Sequence, residues 1–261
     1  MPVLGFIGTG NMGSALVRAA AKEKGNRLLL ANRSPEKAEA LARELGGEAT
    51  DNVGALAADY VFLGVKPQML EALFQELRPA LASAETPPVL VSMAAATSME
   101  RILSLAGREL PLIRIMPNTP AAIGKGITLY DCNPLVSSEA ECGFLQAMAA
   151  SGRFLKTEEK YIDAGACISG CGPAFVDLFV EALADGGVAC GLSRAAALEL
   201  AAAMTAGAAE LILETGKHPA RLKDEVCSPG GTTIRGVRAL EKGGFRSAVM
   251  EAVIAAYGLD K

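Results

Sequence analysis

The chain has 261 residues, 51% hydrophobic, 5% aromatic and 21% charged, with 28 Gly, 13 Pro, no Trp and one His. That length supports one large domain or two modest ones around a core of Ala, Leu, Val, Ile and Met. So few aromatics argue against stacking surfaces for single-stranded nucleic acid, a net charge of −4 gives no basic excess for DNA or RNA, and the hydrophobicity argues against disorder.

The first 17 residues carry no charged side chain, but they lack a basic start, and Gly5, Gly8, Gly10 and Gly13 interrupt the apolar run. No secretory signal is therefore expected, and no other uncharged stretch approaches a membrane span. Short apolar runs then alternate with helical patterns. Val3–Ile7, Leu28–Ala31, Tyr60–Val65, Val89–Ser92 and Leu112–Met116 are predicted strands of a parallel sheet buried on both faces. Met12–Lys24, Pro35–Leu45, Gln68–Leu81 and Ser98–Leu105 are the predicted helices between them. Ile127–Tyr130 and Arg153–Lys156 extend the sheet beyond a helix at Glu139–Ala150. The alternation predicts a Rossmann-type, doubly wound, mostly parallel α/β domain over residues 1–156.

From 157 to 261 the strand signal is gone, and an all-helical domain is predicted. Its helices are Ala174–Ala189, Arg194–Glu214, Thr233–Leu240 and Ser247–Tyr257. A helix as apolar all round as Ala195–Leu213 must be buried in a larger core or at a subunit interface. The six cysteines form no CxxC pair, and one His makes a zinc site improbable. The cysteines read as small buried hydrophobes in a reducing cytosol.

Gly8-Thr9-Gly10-Asn11-Met12-Gly13 follows the first strand and opens a helix. In that context Gly8 serves the tight turn, Gly10 lets backbone approach a pyrophosphate, and Gly13 lets the helix pack closely. The helix start offers free N–H groups to phosphates. An NAD site would place Asp or Glu at the end of the second strand. This chain has Asn32-Arg33-Ser34, whose guanidinium and hydroxyl suit a 2′-phosphate, favouring NADP(H), with NAD(H) as a second cofactor. Ser34 before Pro35 also fits a helix N-cap, and both roles can coexist. Val65-Lys66-Pro67 and Asn118 end later strands and are expected to line the cofactor cleft. A solvent-facing lysine fits Lys66 as well.

Ser228-Pro229-Gly230-Gly231-Thr232-Thr233 is a second Gly-rich helix start, with Ser228 as its cap and Pro229 at N1. Two glycines in a first turn cost helix propensity. They leave a bare helix end ringed by hydroxyls, suited to a small carboxylate; a turn needing glycine geometry is the other reading. Gly170-Cys171-Gly172-Pro173-Ala174 is a third flexible break. One histidine assembles no convincing nucleophilic triad.

On these residues the chain resembles the pyrroline-5-carboxylate reductase family, above all through Asp224–Thr233 and with Phe6–Gly13, Val65–Gln68, Met116–Pro120 and Gly170–Ala174. Cys171 stands where that family commonly has Ser or Asn, and Cys227 where Ser or Thr is common. The resemblance implies a Rossmann-type domain followed by a helical domain that interlocks with its copy as a homodimer, in some members assembled into decamers. It implies hydride transfer from NADPH to the C=N carbon of 1-pyrroline-5-carboxylate, giving proline in the cytoplasm. The substrate carboxylate is then held by Ser228, Gly230, Gly231, Thr232 and Thr233, with the Thr233 hydroxyl facing the ring nitrogen as the catalytic contact. A cyclic imine can arrive already protonated, so no Lys or His acid is required. β-Hydroxyacid dehydrogenases share the two-part plan but carry a catalytic Lys four residues after the second glycine of their loop, where counting from Gly172 reaches Val176. A reductase of another small carboxylated imine, and a non-catalytic sensor of NADP redox state, are the alternatives. The sensor needs an inaccessible Ser228–Thr233 loop. No nucleic-acid or membrane partner is expected.

Overall fold

Strand β1 (Val3–Ile7) sits at the centre of the first unit because its side chains serve two cores at once. In the computed structural model, which describes residues 2–258, Leu4 and Phe6 join one apolar cluster and Ile7 the other. The remaining strands are β2 (Arg27–Ala31), β3 (Glu48–Ala49), β4 (Tyr60–Leu63), β5 (Val89–Ser92), β6 (Leu112–Met116), β7 (Gly126–Cys132) and β8 (Gly152–Lys156). They form one sheet in the order β3-β2-β1-β4-β5-β6-β7-β8. Only the β6–β7 pair is antiparallel. Phe6 opposes Phe62 in register and their rings stack with centroids 4.3 Å apart. Period-2 alternation puts Tyr60 and Phe62 on the Phe6 side and Val61 and Leu63 on the other, which is why β1 and β4 read as continuous apolar runs. Burying one such Phe or Leu contributes about 1.5–3 kcal/mol.

The helices of this unit are α1 (Asn11–Ala20), α2 (Pro35–Leu45), α3 (Leu70–Ser83), α4 (Met99–Ala106), α5 (Ser138–Ala147) and α6 (Glu159–Ser169). Their ends follow local chemistry. Ser98 and Ser137 cap α4 and α5 by accepting from Arg101 N and Ala140 N, and Gly46 and Gly107 close α2 and α4 in the left-handed region. Three expectations differ. The predicted Met12–Lys24 helix stops at Ala20. The Gln68–Leu81 helix begins as a separate 3-10 turn at Pro67–Met69. The short β3 and the helix α6 carried no sequence signal.

Contacts divide the chain into units at Met1–Gly170 and Cys171–Lys261. The strands end at Lys156, but α6 belongs with the sheet. Ile162 is fully buried, and a Cβ at Gly165 would meet Leu129 Cδ1 at 2.4 Å, so glycine lets α6 lie directly on β7.

The second unit contains α7 (Gly172–Ala189), α8 (Arg194–Thr215), α9 (Pro219–Glu225), α10 (Thr232–Lys242) and α11 (Phe245–Tyr257). Helices α7 and α8 pair closely, and a Cβ at Gly187 would lie 3.0 Å from Ala197 Cβ. Only Ala184, Ala197 and Ala201 are buried apolar residues here among those described, while Leu178, Leu200, Met204 and Leu213 are each more than half exposed. Contrary to the expectation that none approaches a membrane span, two helical stretches, Glu159–Ala189 and Arg194–Thr215, are long and apolar enough for one. A search for uncharged runs passes over them because scattered Glu and Asp residues interrupt the alanine-rich helices.

Candidate active site

The loop from β1 to α1 is built by backbone contact. Gly8 has φ of +97°, and its N–H donates to Ala31 O at 2.8 Å. A Cβ there would meet Gly64 O at 2.7 Å, and one at Gly64 would meet Gly8 O at 2.5 Å. The two glycines therefore let the ends of β1 and β4 touch, and Gly64 is a partner the sequence reading missed. At Gly13 a Cβ would lie 2.2 Å from Gly8 O, so this glycine seats the helix on its own loop. Gly10 differs, since a Cβ there would meet nothing within 4 Å. The fold leaves that space clear.

Gly10 caps α1 without a side-chain bond, so the N–H groups of Asn11, Met12 and Gly13 have no intrahelical acceptor. Beside them Thr9 Oγ1 is buried with no hydrogen-bond partner. A clear space, free helix N–H groups and an orphan hydroxyl fit the diphosphate of a dinucleotide. Asn32 is already committed. Its Oδ1 accepts from Thr9 N at 3.3 Å and its Nδ2 donates to Ser34 O at 3.2 Å, stapling the loop to the end of β2. Ser34 does occupy the N-cap of α2, yet its hydroxyl makes no capping bond. It stays free for a ligand.

Gly8, Gly10, Asn32, Arg33, Ser34, Val65 and Lys66 line one cleft of about 610 Å3 along the carboxyl ends of β1, β2 and β4, together with Lys37, Asn52 and Glu76. Pro67 faces a neighbouring cavity of about 530 Å3 with Thr97, Ser98, Arg101 and Arg114, and Gln68 borders both. Ala96, on the same rim, has φ of +52°, a left-handed conformation costly for alanine. Arg114 is 3% exposed. Its guanidinium donates to Glu159 at 3.2 Å and Asp163 at 2.7 Å, tying α6 to β6, while Glu159 also accepts from Met99 N at 2.6 Å.

Asn118 is not brought into the cleft. It is buried, its Nδ2 donates to Ser169 O at 2.9 Å, and its Oδ1 accepts from Ile127 N at 2.9 Å. It braces the turn after β6.

In the second unit the expected helix start at Ser228-Pro229 is displaced. Helix α10 begins at Thr232 with Gly231 as its cap, so both glycines precede the helix. Gly230 takes the left-handed turn at φ +71°, and a Cβ on Gly231 would lie 2.4 Å from Ser228 Oγ. Arg235, absent from the sequence reading, donates to Gly230 O at 3.2 Å and Gly231 O at 3.3 Å. It holds the loop carbonyls back along the helix, while the first-turn N–H groups of Thr232 and Thr233 have no intrahelical acceptor. Ser228, Thr232 and Thr233 are exposed. The result is an accessible, donor-rich helix start suited to a carboxylate.

Residues 159–260 match the family described as pyrroline-5-carboxylate reductase dimerisation, and residues 3–96 match NADP oxidoreductase, coenzyme F420-dependent. A pyrroline-5-carboxylate reductase of Glycine max is 40% identical over 261 residues, covering 97% of this chain and 93% of its own. The solved structure of a Coxiella burnetii pyrroline-5-carboxylate reductase superposes with a TM-score of 0.89 at 32% identity, covering 98% of this chain and 96% of that one. A Plasmodium falciparum pyrroline carboxylate reductase solved with NADP bound gives a TM-score of 0.85 at 31% identity, with 98% and 95% coverage.

Proposed function

Because this chain belongs to the pyrroline-5-carboxylate reductase family, we propose that it reduces 1-pyrroline-5-carboxylate to proline with NADPH, as a C=N oxidoreductase of proline synthesis. NAD(H) is the second cofactor. The observation that carries the reading is the pairing, in one chain, of a clear diphosphate loop at Gly10 with an open Ser228–Thr233 helix start. That loop is exposed, which removes the condition on which a non-catalytic sensor rested. A reductase of a different carboxylated imine has no comparable support from near-full-length relatives.

When bound, NADPH supplies the hydride. Asn11, Met12 and Gly13 N–H groups and the Thr9 hydroxyl would hold its diphosphate, while Arg33 and Ser34 would hold the 2′-phosphate and Val65, Lys66 and Pro67 the middle of the dinucleotide. The N–H groups of Thr232 and Thr233, with the Ser228 and Thr232 hydroxyls, bind the substrate carboxylate. The Thr233 hydroxyl orients the ring nitrogen. An iminium is electrophilic on arrival, so these residues align the reactants rather than move a proton.

A homodimer is the smallest assembly that fits the second unit, and a decamer would be built from such dimers. Among the described residues, three buried alanines give that unit almost no core, while the exposed Leu200, Met204 and Leu213 offer apolar surface for a second copy. We read α7 and α8, the long apolar helices of this unit, as the subunit face rather than membrane spans, and place the enzyme in the cytoplasm. Nucleic acid and membrane play no part in this reading.

The test is NADPH oxidation by the full-length protein with and without 1-pyrroline-5-carboxylate. Thr233→Ala should lower turnover of the imine while NADPH affinity stays within twofold. No imine-dependent oxidation by the wild-type protein would overturn the proposal.

A further inference from the structure

The turn that leads into α10 is held from outside by one side chain. Gly231 N donates to Ser228 O at 3.0 Å, with Pro229 and a left-handed Gly230 between them, the residue pattern of a type II turn. Packing does little to fix it, since Gly230 is exposed and a Cβ there would meet nothing within 4 Å. Two successive glycines also leave the peptide between them free to rotate. Arg235, the fourth residue of α10, spans this weak point. Its Nη2 donates to Gly230 O at 3.2 Å and its Nε to Gly231 O at 3.3 Å. By helix grammar the cation is out of place. It sits near the positive end of the helix dipole, beside a first turn that holds no acidic residue, and among the described residues no carboxylate pairs with it.

A planar peptide points its carbonyl and its N–H in opposite directions. Drawing Gly231 O back to the guanidinium therefore turns the Thr232 N–H toward the open end of the helix. Drawing Gly230 O the same way keeps a second carbonyl from that end. If either peptide rotated, an oxygen would face an incoming carboxylate and repel it. We infer that Arg235 is a positioning residue for carboxylate recognition: its two-point grip keeps the donors of the Ser228–Thr233 loop aimed outward before substrate arrives. This rests on the reading that the loop takes the carboxylate of the imine, and it gives a role to a residue outside the Ser-Pro-Gly-Gly-Thr-Thr motif. A rigid fork of N–H donors is what a guanidinium offers and an ammonium does not. A loop ordered in advance loses less freedom on binding, so the effect falls on affinity for carboxylates and not on the hydride step.

The test follows NADPH oxidation by the full-length protein, with inhibition by L-proline as a measure of carboxylate binding without turnover. Arg235→Met should raise both the KM for 1-pyrroline-5-carboxylate and the inhibition constant of L-proline about tenfold, with kcat within about threefold, the sign of lost ground-state binding. The Kd for NADPH should stay within about twofold, because the cofactor loop lies in the other unit. Arg235→Lys keeps the charge but loses the fork, and its KM should remain at least about threefold above wild type. Circular dichroism melts show whether the variants are folded, and the lysine variant keeps the inference falsifiable should Arg235→Met melt below the assay temperature. A wild-type KM in Arg235→Met would overturn the inference, as would a fall in kcat at unchanged KM. So would a lysine variant indistinguishable from wild type, which would leave only the charge. Wild-type protein without imine-dependent oxidation would instead overturn the underlying reading of the reaction.

Discussion

Two glycines of one loop, three residues apart, should fail in opposite ways when replaced by alanine. At Gly13 the new Cβ would sit 2.2 Å from Gly8 O, more than ~1 Å inside the roughly 3.5 Å at which nonbonded atoms rest. Both atoms belong to tightly held backbone, so helix α1 or the loop must shift. Overpacking of this kind costs about 1–3 kcal/mol, a fall in Tm of about 2–12 °C for a unit of this size. At Gly10 the backbone is extended, with φ −68° and ψ −169°, and the Cβ meets nothing within 4 Å. Alanine gains about 0.4–1 kcal/mol from a less free unfolded chain and loses about as much as a poorer N-cap. The Tm of Gly10→Ala should therefore stay within about 2 °C. Its methyl group nevertheless occupies the space left for the diphosphate, so NADPH binding should weaken about 10- to 100-fold, or about 1.4–2.8 kcal/mol. The chain has no Trp, so melts are followed by circular dichroism and binding by NADPH fluorescence. A Gly10→Ala protein as destabilised as Gly13→Ala, with NADPH binding intact, would refute the assignment of that space to the cofactor.

Asn118→Ala should destabilise the first unit by about 1–3 kcal/mol in urea titrations, since it strips partners from Ile127 N and Ser169 O; a tenfold loss of NADPH affinity at unchanged stability would make it a cofactor contact instead. Burial, and then the Glu141 charge, push the Cys132 thiol up to about 11. At pH 8 only about one part in a thousand is thiolate, so iodoacetamide should label Cys132 far more slowly than exposed Cys142, gaining about tenfold per pH unit; equal rates in peptide mapping would refute this. Leu200 and Met204 are 60% and 51% exposed, one turn apart on α8, and each contributes about 1.5–3 kcal/mol if a second copy covers it. Replacing both with Glu should reduce the particle mass in light scattering, whereas a wild-type protein already monomeric would sink the subunit-face reading.

Much of the first unit was legible because its strands are buried on both faces. Val3–Ile7, Val89–Ser92 and Leu112–Met116 have the limits that their apolar runs predict. What escaped had weaker local grammar. β3 is two exposed residues, Glu48–Ala49, that pair only because β2 offers an edge. Helix α6 carries Gly165 in its middle, a poor helix former explained only by its contact with Leu129. Helix α9 is seven residues capped by His218, not by the Ser, Thr or Asp that marks a helix start. The Ser228-Pro229 pair looked like a cap and N1, but the left-handed Gly230 spends another turn before α10 begins.

The site residues divide along the same line. Backbone roles could be read from sequence, since glycine identity reports directly on close approach and on φ: Gly8 and Gly13 lie where such contacts require them. Side-chain roles could not, because they depend on where hydrogen bonds are already spent. Asn32 and Asn118 look like ligand-binding amides, yet both have their donors and acceptors engaged by the chain itself. Lys37 looks like one more solvated lysine on a charged helix and lines the cleft uncommitted. Arg235 gives no motif signal and holds the carbonyls of the loop that bears Thr233. The groups available to a ligand are those the fold has not used, and that remainder exists only once the chain's own hydrogen bonds and ion pairs have been subtracted.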